Sequence, residues 1–82
     1  MSKIVELISF IVVNLVDHPE DVRIETVSRD GEEVYRLHVH DDDLGQVIGK
    51  NGQTARSVRA LLQAVGAKHD RYYGFEIAEE EA

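Results

Sequence analysis

Residues 44–62 read LGQVIGKNGQTARSVRALL. Both ends follow helical spacing, yet the middle holds Gly49 and Gly52, three apart, with Lys50 and Asn51 between them. Two helices joined by so short a turn need residues that tolerate positive φ and close approach, and glycine supplies both. The second helix starts directly after the turn, so its free backbone N–H groups and the positive end of its dipole converge there. Lys50 adds a mobile cation. The combination describes an anion site suited to an extended phosphodiester backbone. A plain helix-to-helix turn would need one glycine and any polar residue.

Outward from the loop, the chain divides into few elements. Upstream, Asp41, Asp42 and Asp43 stand where they can cap a short helix over 44–48. Downstream, Thr54, Ala55, Val58, Leu61, Leu62 and Val65 form the apolar stripe of a helix over 53–65, with Gly66 as its C-cap. The stretches 22–28 (VRIETVS) and 34–40 (VYRLHVH) alternate like strands, with Asp30-Gly31 between them as a hairpin signal. In the second, Tyr35, Leu37 and Val39 share one face and Arg36, His38 and His40 the other. At the N-terminus, Ile4, Leu7, Ile8, Ile11, Val12 and Leu15 predict a helix from Lys3 to about Val16, capped by Ser2 and limited by Pro19. Phe10 and Val13 fall on its otherwise polar side. Residues 72–78 (YYGFEIA) predict a last strand with Tyr73, Phe75 and Ile77 inward, ahead of an acidic tail at 79–82. The order is α-β-β-α-α-β. It makes one domain over residues 1–82, with an ordered core over about 3–78 and no repeat or linker.

Composition narrows the function. The 82 residues contain no cysteine, which removes disulfides and thiolate zinc sites. The apolar run 4–16 carries Glu6 and is too short to span a bilayer, so it reads as a core helix of a soluble cytoplasmic protein. The net charge of −7 argues at first against nucleic acid. Its distribution does not. Residues 46–71 hold Lys50, Arg56, Arg59, Lys68 and Arg71 against Asp70 alone, a local +4. Residues 1–45 carry −7 and residues 72–82 carry −4. Positive charge is confined to the segment that contains the glycine loop.

The stretch VIGKNGQTARSVR resembles the signature of the KH domain, an RNA-binding module whose G-x-x-G loop clamps a few nucleotides of single strand. The residues that carry the likeness are Val47-Ile48 before the loop, Lys50 inside it, and Thr54-Ala55-Arg56 and Val58-Arg59 after it. The element order resembles the bacterial, type II arrangement. This implies an α+β fold with a three-stranded sheet and three helices packed on one face. Carried over by position, Gly49, Lys50, Asn51 and Gly52 would grip the sugar-phosphate backbone. Val47, Ile48, Ala55 and Val58 would floor or support a shallow groove for bases, while Arg56 and Arg59 would add phosphate contacts. The likeness also implies a cytoplasmic RNA chaperone or post-transcriptional regulator linked to cell shape. It would pair with itself or with a larger KH-containing protein, and needs no cofactor. A symmetric pair is expected through the small face Ser57, Ala60 and Ala64, with Phe10 and Val13 the competing patch.

Other readings fit less well. In GQVIGK the glycines are one residue too close for a P-loop, and Asn51 replaces the Ser or Thr that would hold magnesium. A helix-turn-helix has one turn glycine and sits in a helical or winged domain. His38 and His40 with an aspartate from 41–43 form a legitimate ligand set, but solvent-facing histidines are commoner on an exposed strand, so no metal ligand is assigned. His18 and His69 read as ordinary surface residues. No serine–histidine–acid pattern points to an enzyme. The alternative from another class is a protein–protein adaptor that kept a KH fold and lost RNA binding. Lys50 argues against it.

Overall fold

A computed structural model describes residues 2–79, so the last three residues of the acidic tail lie outside the described residues. The elements are α1 (Lys3–Val13), β1 (Arg23–Arg29), β2 (Glu32–His38), α2 (Leu44–Ile48), α3 (Gln53–Lys68) and β3 (Tyr73–Ile77). Their order is the one expected. The Ser2 side chain accepts from the backbone N–H of Ile4 and Val5, so it is the N-cap of α1. Asp30 (φ 51°) and Gly31 (φ 82°) form the two-residue turn between β1 and β2. Positive φ at both positions matches the right-handed twist of the paired strands.

The sheet has the order β1-β2-β3, with β2 antiparallel to β1 and parallel to β3. Parallel neighbours require a crossover connection. Here α2, the glycine loop and α3 are that crossover, which carries the loop over the helical side of the sheet. All three helices pack on the face formed by Tyr35, Leu37, Tyr73 and Phe75. Ile8 and Val12 of α1, Val47 of α2, and Val58 and Leu62 of α3 join them in one core. The Tyr35 and Tyr73 rings meet edge to face, with centroids 5.9 Å apart. The opposite face carries charge: Glu76 on β3 binds Arg29 of β1 at 3.0 Å and Arg36 of β2 at 3.2 Å. Among the described residues no helix is long and apolar enough to cross a membrane.

Three expectations need correction. First, α1 stops at Val13 rather than near Val16. Asn14 ends it, because its side-chain amide donates to the Phe10 carbonyl at 2.7 Å in place of a continuing backbone ladder. Second, α3 runs through Gly66 to Lys68. Gly66 is not the cap; a Cβ there would stand 2.5 Å from the Arg71 carbonyl oxygen, which folds back over the helix. The left-handed residue that turns the chain is Asp70 (φ 57°). Third, Leu61 does not belong to the buried stripe and is 53% exposed. Phe10 and Val13 are exposed, as their position on α1 implied.

Candidate nucleic-acid interface

The loop between α2 and α3 is built from conformations that few residues adopt. Gly49 ends α2 at φ 80°, ψ 168°, a region essentially reserved for glycine. Asn51 (φ 55°) and Gly52 (φ 73°) then follow with positive φ, so the chain reverses within a single tight turn. The Gly52 N–H donates to the Gly49 carbonyl at 3.0 Å and closes it. A side chain at Gly49 would collide with Thr54, 2.7 Å from its backbone nitrogen. The first turn of α3 is therefore packed directly against the loop. No side chain caps the N-terminus of α3; the Gly52 and Gln53 N–H groups are spent inside the turn, on the Gly49 and Lys50 carbonyls, and the positive end of the helix dipole faces the loop. Lys50 and Asn51 are exposed at the tip.

Arg56 and Arg59 do more than decorate a helix face. Arg56 donates to the Asn51 carbonyl at 2.6 Å and braces the loop from the side. Arg59 donates to the Phe75 carbonyl at 3.2 Å, tying α3 to β3. A guanidinium has five N–H donors, so each retains several. Their charge pairing differs from that of three other arginines. Arg29, Arg36 and Arg71 face Glu76, Glu25 and Glu33 in ion pairs. Among the described residues no carboxylate is ion-paired to Lys50, Arg56 or Arg59. Lys3, Arg23 and Lys68 are likewise without an ion pair among the described residues; Lys50, Arg56 and Arg59 bring three such cations together on the loop and the start of α3. Val47, Ala55 and Val58 are buried beneath it and hold α2 against α3, while Ile48 keeps part of its apolar surface accessible.

One structural residue near the site escaped the sequence reading. Asp43 does not cap α2; no side chain does. Its carboxylate is 1% exposed and turns inward, accepting from the backbone N–H of Asp17 at 3.1 Å and His18 at 3.0 Å. The His18 ring nitrogen Nδ1 lies 3.2 Å away. Burial pushes the Asp43 carboxyl up, but these donors outweigh it and hold the group below the usual carboxylate range. The same hydrogen bond raises the His18 imidazole. Asp43 thus fastens the α1–β1 connection to the start of the α2–loop–α3 unit. Three consecutive aspartates gave no sign of which one turns inward.

The sheet with its helical crossover and the Gly49–Gly52 loop ahead of α3 define a KH-type module. A family model described as KhpA/KhpB, KH domain, matches residues 5–77. The RNA-binding protein KhpA of Listeria monocytogenes is 49% identical over 74 residues, 90% of this chain and 97% of its own. KhpA of Bacillus subtilis is 43% identical over 72 residues, 88% of this chain and 89% of its own. KhpA of Chlamydia pneumoniae is 40% identical over 75 residues, 92% and 96% respectively. The chain belongs to the KhpA/KhpB KH-domain family.

Proposed function

We propose that this protein binds single-stranded RNA through the Gly49-Lys50-Asn51-Gly52 loop and acts in the cytoplasm as an RNA chaperone or post-transcriptional regulator. The observation that carries this reading is the loop itself. A tight positive-φ turn at Gly49 and Gly52, an exposed Lys50 and the positive end of the α3 dipole without a side-chain cap occur together, in a chain whose relatives are named RNA-binding proteins. The sugar-phosphate backbone lies across the loop. Arg56 and Arg59 meet flanking phosphates with the donors they do not spend internally, and Ile48 offers apolar surface to a base. Val47 and Ala55 serve from beneath by fixing the positions of α2 and α3. The double substitution Lys50→Asp with Asn51→Asp tests the assignment. Both side chains point to solvent, so circular dichroism should stay that of the wild type while RNA affinity collapses. Undiminished binding by a folded double variant would refute the loop as the site.

The protein works as a homodimer, or pairs with a larger KH-containing partner of the KhpB type. On α3, Ser57, Ala60 and Ala64 are exposed together with Leu61, giving small side chains beside one large apolar contact. A symmetric pair there would place two loops on one assembly, and two weak sites gain avidity when linked.

A further inference from the structure

We infer that His18, His40 and Asp42 form a binding site for a divalent transition-metal ion of the zinc or nickel type. The sequence places His18 far from the other two; the fold brings the α1–β1 connection against the β2–α2 junction. One donor atom from each residue then lies within 4.8 Å of the others. Two imidazoles and a carboxylate are a donor set matched to borderline cations, with solvent completing the coordination.

The surroundings are prepared for a ligand role. His18 Nδ1 sits 3.2 Å from the buried Asp43 carboxylate; with a proton on Nδ1 in that hydrogen bond, Nε2 of the neutral ring is the nitrogen left to bind a metal. A buried carboxylate behind a histidine is the arrangement that orients metal-binding imidazoles and raises their basicity. Asp43 is in turn held by the Asp17 and His18 backbone amides, so His18 is placed before any ion arrives. His40 is the adaptable partner. Its Nδ1 accepts from the exposed Asp42 amide at 3.0 Å and stands 3.7 Å from the Asp42 carboxylate. That lone pair is spent on the amide, so a metal bound at Nδ1 displaces this hydrogen bond, and water replaces the ring as acceptor for the amide.

The two rings stack with centroids 4.0 Å apart and planes 12° from parallel. Lone pairs on parallel rings run side by side, whereas a metal must lie in the plane of each ring at about 2.0–2.1 Å. Binding therefore tilts His40 away from His18 and opens the stack. Both rings are on connecting segments with partial exposure, so the tilt leaves the core untouched. The bound ion would cross-link residue 18 to residues 40–42 at the base of α2. His38, the neighbour that strand alternation suggests, instead faces Glu25 at 2.8 Å on the outer sheet face.

The test uses the 82-residue chain, freed of metal by a chelator and titrated with zinc chloride by calorimetry and with cobalt chloride by visible absorption. Saturable binding of one ion per chain is expected, with zinc shifting the ring-proton resonances of His18 and His40. His40→Ala and Asp42→Asn alter exposed or half-exposed groups outside the core; each should weaken binding at least about tenfold and leave the circular dichroism unchanged. His38→Ala and His69→Ala should bind as the wild type does. An absence of saturable binding in the folded wild type overturns the site. Undiminished binding in the His40→Ala, Asp42→Asn double variant overturns it equally.

Discussion

At the scale of single residues, the two loop glycines are not equivalent. Gly49 combines φ 80° with ψ 168° and has Thr54 against the position a Cβ would occupy. Gly52 lies in the ordinary left-handed region, and its Cβ would meet only the end of the Arg56 side chain at 3.2 Å. Gly49→Ala should therefore cost about 1–3 kcal/mol from backbone strain, with the collision added. Gly52→Ala should cost about 1–2 kcal/mol, the left-handed penalty for a side chain. Urea unfolding of both variants checks the ranking, and equal midpoints would mean that Thr54 moves aside without cost. The loop motif was legible in the sequence, but not this difference, because the neighbour that sets it is contributed by the first turn of the next helix.

Among the elements, one carboxylate links all three strands of the sheet. Glu76 on β3 reaches Arg29 on β1 and Arg36 on β2, spanning all three strands. Partial burial pushes its carboxyl up, yet hydrogen bonds from Arg29 and Arg36 outweigh that and leave it below the ordinary glutamate value. A depressed folded value means the stabilisation is present above the unfolded pKa and disappears as pH falls through the folded one. Acid titration of stability should thus show a loss below about pH 4.5, and Glu76→Gln should flatten it. The side chain is 42% exposed, so solvent screening keeps the contribution small. Thermal melts of both proteins between neutral pH and pH 3 provide the comparison; parallel curves would assign the acid loss to another group.

For the molecule as a whole, charge and assembly govern binding. A single module with an overall charge of −7 touches few phosphates. Salt dependence of RNA affinity should correspond to about two to four ion contacts, at roughly 0.7 of a logarithmic unit per contact for single strands. Single strands should be preferred to duplexes, and tighter duplex binding would point to a different mode of docking. Assembly is read by light scattering at matched concentration. Ala60→Glu on the small face of α3 should yield monomers, whereas Phe10→Glu on α1 should leave the dimer whole. Dissociation by Phe10→Glu alone would move the interface to α1 without removing the two-site advantage.

The sequence by itself determined the elements, their order and the glycine loop. Each of these is a local property: helical or strand spacing, Ser2 as a cap, Asp30-Gly31 as a hairpin turn, and two glycines where φ must be positive. Neighbouring residues suffice to specify them. The tertiary structure decided whatever depends on a distant partner. Gly66 reads as a helix stop until the returning Arg71 carbonyl shows that it is a point of close approach. Leu61 continues a stripe that the sheet does not cover. Asp43 resembles its two neighbours until the amides of Asp17 and His18 draw its carboxylate inward. A buried charge must find donors, and those donors lie on a segment about 25 residues away, beyond the reach of any local pattern.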